Sequence, residues 1–211
     1  MSYSTVSDLG GERKPRVLPS RPLDAVEIRI LGSLAEKQMT TPESYPLTLN
    51  ALVAACNQKS NREPVMEISE SDAQGALDRL QQEKLVWKVM GGRAVKWEQN
   101  LDSALQLDRA SKALLTLLML RGAQTPGELR GRSERLHAFE SIAEVEQALR
   151  RLDPLVRELA RRPGQKESRW VHLLGGTPEE PAVPDRGATT LEERVTRLEE
   201  ELRALKAKLG D

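Results

Sequence analysis

Aromatic residues are scarce in this chain of 211 residues: three Trp, two Tyr and one Phe make up 3% of it. With 38% apolar residues the composition is adequate for small helical cores and too low for a membrane protein. Cysteine occurs once, at Cys56, which excludes an intrachain disulfide framework and a multi-cysteine zinc site. Long apolar runs are missing too. The longest, Ala113 to Leu120, is broken by Thr116 and falls far short of the ~20 residues of a membrane-spanning helix. Met1 to Gly11 is polar and lacks the basic-then-apolar order of a secretory signal, so a cytoplasmic location is expected. No phosphate loop, dinucleotide fingerprint or nucleophile elbow occurs. His137 and His172 fall in different elements without ligand-spaced partners, so neither a metal, a cofactor nor catalysis is expected. An excess of charge is also absent, with 32 basic residues against 32 acidic ones. By segment the basic and acidic counts are 4 and 2 for residues 1–22, 9 and 11 for 23–100, 13 and 10 for 101–176, and 6 and 9 for 177–211. None is basic enough to announce nucleic acid by charge alone.

What the chain does have is repetition. An apolar-periodic run starts at Leu23 and another at Leu107; Thr41-Pro42 and Thr125-Pro126 follow them. Each half then shows Ala-Leu-x-Arg-Leu (Ala76 to Leu80, Ala148 to Leu152) and ends near a Trp (Trp97, Trp170). The offset between copies is 84 residues at the start and 73 at the tryptophans, so the first copy carries an insertion after its Thr-Pro. Self-similarity at this period predicts two copies of one small domain.

In the first copy, Val26, Ile30, Leu31 and Leu34 recur at helical spacing, with Asp24 in the first turn and Pro42 beyond the end. Leu49, Leu52, Val53 and Cys56 mark a second helix capped by Thr48, with Cys56 as a core residue. Val65 to Ile68 alternates like a short strand. A third helix follows from Ser69 or Ser71 to about Glu83. Leu85 to Met90, Gly91-Gly92 and Arg93 to Glu98 read as a β-hairpin. The second copy repeats this with helices at 107–121, 125–131 and 141–152, the last opening on a Ser141-x-x-Glu144 capping box, and a hairpin from Val156 to Leu173. Three helices and a hairpin are the order of a winged helix, an elaboration of the helix-turn-helix. The expected fold is mainly α with small β-wings.

The flanks differ. Residues 1–22 read as a disordered N-terminal tail, and 177–189 as a Gly/Pro-rich linker. Between them lie winged-helix domain 1 at 23–100 and domain 2 at 101–176. In 190–211, Leu191, Val195, Leu198, Leu202, Leu205 and Leu209 form a heptad seam, which predicts a coiled-coil helix. In a parallel pair Arg194 would meet Glu199 and Glu201 would meet Lys206, so a parallel homodimer is expected; the competing reading folds this helix against its own chain.

The stretch from Tyr45 to Met66 (YPLTLNALVAACNQKSNREPVM) resembles the signature of the YceH-like proteins, a bacterial family of unknown function. Leu34 to Gln38, Thr41-Pro42, the 107–176 region and the heptad tail are similar as well. The resemblance implies a tandem winged-helix fold in a cytoplasmic bacterial protein. It implies no activity, substrate or catalytic residue.

Two functions remain open. In the first, a transcriptional regulator binds double-stranded DNA, with third helices in the major groove and hairpins on the backbone. Its candidate contacts are Lys88, Arg93 and Lys96 in the first hairpin, and Arg157, Arg161, Arg162, Lys166 and Arg169 in the second. Arg130, Arg132 and Arg135 stand before the last helix. Against this, Glu70, Asp72, Glu140, Glu144 and Glu146 crowd the starts of the third helices and repel phosphate. In the second, the repeats form a protein-interaction module, adaptor or scaffold, without DNA. The loop Asn57-Gln58-Lys59-Ser60-Asn61-Arg62 fits either nucleic-acid contact or internal hydrogen bonding.

Overall fold

The computed structural model describes residue 16 and residues 18–91, 94–161, 167–177 and 199–200. The chain divides into one compact unit through Gly176 and a second from Thr177 onward. In the second unit residues 199–200 are helical; the heptad residues Leu191 to Leu209 lie outside the described residues.

The first unit is mainly helical with two small antiparallel sheets. Helix α1 (Ala25–Thr40) begins at Asp24, which is its N-cap rather than a first-turn residue. The Asp24 carboxylate accepts the Glu27 N–H at 2.8 Å and the Glu27 carboxylate accepts the Asp24 N–H at 2.8 Å, a closed capping box. Strand β1 (Leu47–Thr48) leads into α2 (Leu49–Cys56), with Thr48 as the expected cap. Ser69 caps α3 (Glu70–Gln82), and β2 (Val86–Gly91) and β3 (Ala94–Gln99) form the hairpin. A short α4 (Leu101–Ala104) and α5 (Arg109–Arg121) follow. Gly122, at φ 70°, closes α5 in a conformation that costs glycine nothing. Then come α6 (Pro126–Ser133), α7 (Ile142–Arg151), β4 (Val156–Leu159) and β5 (Arg169–His172).

Three expectations change. Val65 to Ile68 is not a strand, because the Asn57 side chain takes both backbone groups of Ile68, donating to its carbonyl at 2.9 Å and accepting its N–H at 2.8 Å. A side-chain amide replaces the neighbouring strand. The capping box expected at Ser141 is incomplete. Ser141 Oγ accepts the Glu144 N–H at 3.2 Å, but the Glu144 carboxylate reaches back one residue further, to the Glu140 N–H at 2.8 Å. Finally, the two Thr-Pro pairs are not equivalent. Thr125 caps α6 and forms a full box with Glu128, whereas Thr41 ends α1 and Thr48 does the capping in the first half.

With Thr48 matched to Thr125, the repeat extends into the sheets. Leu47 pairs with Trp97 and Thr48 with Lys96; in the second half Gln124 bridges Trp170, with N–H to carbonyl distances of 3.0 and 2.7 Å. In both halves the segment before helix two is thus laced to the second strand of the hairpin.

The halves meet along α1 and α5, the equivalent first helices. Gly32 permits that approach, since a Cβ there would sit 2.9 Å from Leu120 Cδ2 and 3.2 Å from Met119 Cβ. Ile30, Leu31 and Leu34 join Leu114, Leu115 and Leu118 in one continuous core. Backbone bonds from Leu23 to Leu174 and from Glu63 to Leu120, each 2.8 Å, tie the halves at either side. Among the described residues no helix is long and apolar enough to cross a membrane.

Candidate nucleic-acid interface

The antiparallel register of the first hairpin alternates side chains between its faces, and this separates its two lysines. Lys88 lies opposite buried Trp97 but is itself exposed, with Nζ 5.9 Å from the indole ring centre. Lys96 lies opposite Val89 and Thr48, on the other face. Arg93 is outside the described residues. The hairpin also exposes Trp87 (40%) and Met90 (73%).

In the second hairpin Arg157 is half-buried opposite Val171, and its Nε has no hydrogen-bond partner among the described residues. Arg169 leans toward α6, donating to the Ala123 carbonyl at 3.4 Å with its Nη2 3.8 Å from Glu128. Arg161 is exposed, beside Glu146 and Glu167. Arg162 and Lys166 are outside the described residues.

Arg130 and Arg132 on α6 are held internally. Arg130 donates to the carbonyls of Phe139 (3.3 Å) and Glu140 (3.0 Å), which fixes the approach to α7. Arg132 donates to Gln124 Oε1 at 2.8 Å and stands 3.5 Å from Glu128. Arg135 is exposed and forms no ion pair among the described residues. The third helices are more constrained still. Arg79, the one cation of α3, pairs with Asp24 at 2.7 Å and Glu27 at 2.9 Å. On α7, Arg150 pairs with Glu146 and Arg151 with Asp108, each at 3.3 Å. Every arginine of both third helices is therefore ion-paired, while Glu70, Asp72 and Asp78 of α3 face solvent.

The loop Asn57 to Arg62 divides by role. Asn57 holds Ile68, as above. Arg62 is buried; its Nε and Nη2 donate to the Ala55 carbonyl at 3.1 and 2.9 Å, and its Nη1 and Nη2 reach the two Glu36 oxygens at 3.2 and 2.6 Å. Gln58 accepts from Arg62 at 3.2 Å, and Asn61, at φ 60°, accepts from Arg121. Lys59 and Ser60 remain exposed, at the rim of a cleft of about 840 Å³ between the halves. Sequence reasoning missed Arg29, which lies on the apolar stripe of α1. Buried, it donates to the carbonyls of Cys56 (3.1 Å) and Pro64 (2.6 Å), and burial with the nearby Arg62 lowers its pKa. It missed Arg121 as well.

His172 stands in β5, where burial pushes its pKa down to about 4. His137 packs edge-on against Phe139 at 4.6 Å. Among the described residues no group of three or more His, Cys, Asp or Glu is placed to hold a metal.

Comparison with known proteins adds a lineage. A family model described as "Protein of unknown function, DUF480" matches residues 23–165. The chain is 50% identical over 196 residues to a UPF0502 protein of Chromobacterium violaceum, covering 88% of each. It is 46% identical over 202 residues to the UPF0502 protein YceH of Salmonella paratyphi A, covering 89% of this chain and 94% of the relative. A UPF0502 protein of Acidovorax sp. (strain JS42) is 46% identical over 205 residues, covering 89% and 91%.

Proposed function

Since the chain belongs to the DUF480 family, described as of unknown function, we propose its role from its own geometry: a tandem winged-helix protein that binds duplex DNA as a regulator, without catalysis. One observation carries this reading. Each half sets a threonine-capped second helix, a third helix and a hairpin in the same order, and laces the hairpin to the segment before helix two. That is the frame in which winged helices present hairpins to the DNA backbone.

The ion-paired third helices shape the proposal. Contact comes mainly from the hairpins, through Lys88, Lys96 and Arg161, and falls on phosphates more than on base edges. Binding is then steep in salt and weak in sequence preference. Residues 190–211, by their heptad spacing, pair two chains in parallel and double the number of hairpins; sedimentation with and without 188–211 checks this, and an unchanged mass on truncation removes the dimer.

The test is binding to genomic duplex fragments across a salt series, for the native chain and for Lys88→Ala/Lys96→Ala/Arg161→Ala. Each lost phosphate contact lowers the log–log salt slope by about 0.9. No binding at low salt, or an unchanged slope in the triple variant, favours the second reading, a protein-interaction module. The exposed Trp87 and Met90 on the first hairpin and the paired arginines of α3 and α7 support that alternative.

A further inference from the structure

The cleft between the halves is built by four segments distant in sequence: the end of α1, the loop after α2, the end of α5, and the end of α6 with the turn after it. Lys37, Lys59, Arg121, Arg132 and Arg135 line it, against the carboxylates Glu36 and Glu134. Glu36 is shared, since buried Arg62 engages both of its oxygens while Lys37 stands 3.9 Å from one of them. The excess positive charge is therefore concentrated in one concavity of about 840 Å³, within the size range of small-molecule sites.

The cations are also positioned. Arg121 is anchored by Asn61, whose backbone sits in the left-handed region at φ 60°. Burial, and then repulsion from Arg132 and Arg62, lower the Arg121 pKa, and the nearby carboxylates Glu63 and Glu36 offset this only in part. Arg132 is oriented by Gln124. Hydroxyl and amide groups of Thr40, Thr41, Ser60 and Gln58 complete the polar lining, and among the described residues no aromatic ring lines it. Guanidinium forks match phosphoryl oxygens in pairs.

We propose that this cleft binds a compact oligophosphate group, a di- or triphosphate, free or carried by a small molecule. Such a group brings several negative charges into a small volume, which suits five cations gathered around one concavity against two carboxylates. Neither the base nor the sugar of a nucleotide is needed for recognition. The site stands whether or not duplex DNA is bound by the hairpins.

The test is calorimetric titration of the full chain with inorganic tripolyphosphate, ATP and citrate at fixed ionic strength. Tripolyphosphate binds and citrate does not; ATP equal to tripolyphosphate means that the group is accepted on a nucleotide, and tripolyphosphate alone means a free anion. Arg135→Ala and Lys59→Ala, both at exposed side chains, each weaken tripolyphosphate about tenfold, the loss of one charge-assisted hydrogen bond. Lys96→Ala leaves it unchanged. The proposal is overturned if neither phosphate binds, if citrate binds equally, or if both cleft variants are silent. It is also overturned if duplex DNA displaces tripolyphosphate and the cleft variants lose DNA in parallel, because the cleft is then part of a DNA surface.

Discussion

Asn57 and Ile68 are joined like two residues of neighbouring strands, although one partner is a side chain: 2.9 Å from Nδ2 to the carbonyl and 2.8 Å from the N–H to Oδ1. Ile68 is a buried core residue next to the Ser69 cap of α3, so this pair sets where the third helix begins. Asn57→Ala leaves both backbone groups of Ile68 without their partner. Urea unfolding should register a loss of about 1–3 kcal/mol, and Asn57→Asp, which keeps the acceptor but not the donor, should lie between the two.

At Gly32 the first helix packs directly against α5. A methyl group added there meets Leu120 at 2.9 Å, inside normal contact, so α1 and α5 must part or Leu120 must leave its rotamer. Gly32→Ala should cost about 1–3 kcal/mol by overpacking. Trimming the obstructing side chain in Gly32→Ala/Leu120→Ala should give a non-additive pair in a double-mutant cycle.

Glu27 is buried, which disfavours its charge, yet hydrogen bonds from Arg21, from the Asp24 N–H and from Arg79 prevail and hold its carboxyl below the ordinary carboxylate value. A depressed carboxyl gives stability that is present above the unfolded value and is lost as pH falls through the folded one. The melting temperature of the native chain should therefore fall more steeply below about pH 4.5 than that of Glu27→Gln, and the two curves should converge in acid.

His172 works in the opposite direction of charge. Its folded pKa of about 4 lies below the model-peptide value of 6.5, so the unfolded chain takes up a proton first. Stability should hold above neutrality, decline as pH falls from 6.5 toward 4, and gain no further slope from this residue below that. Imidazole NMR should find His172 neutral at pH 5; a protonated ring there contradicts the burial seen in β5.

The order of helices and hairpins was legible because aliphatic spacing and caps act locally. Thr48, Ser69 and Ser141 each sit next to the periodic run they start. Pairings that leave the segment were not legible. Val65 to Ile68 alternates as a strand does, but alternation cannot say that an amide eleven residues earlier takes the hydrogen bonds. The Thr-Pro dipeptides match as letters, while the sheets equate Thr125 with Thr48.

The site residues show the same limit. Arg130 and Arg132 look like free cations in sequence, and only the folded turn brings their acceptors within reach. The cleft is invisible at any spacing, since Lys37, Lys59, Arg121 and Arg135 come from four separate segments. The loop signal at Asn57 to Arg62 could have pointed to it, but Asn57, Gln58, Asn61 and Arg62 bond to the chain's own groups.

Equivalent surfaces packed on each other are the mark of a two-fold homodimer, and α1 against α5 is such a contact made within one chain. A symmetric pair must change both of its surfaces with every mutation, whereas this chain can alter one side alone. The longer connection between α2 and α3, its buried Arg62, and the bond from Glu63 to Leu120 all exist on one side only. Covalent linkage lets the two halves differ while they share one core.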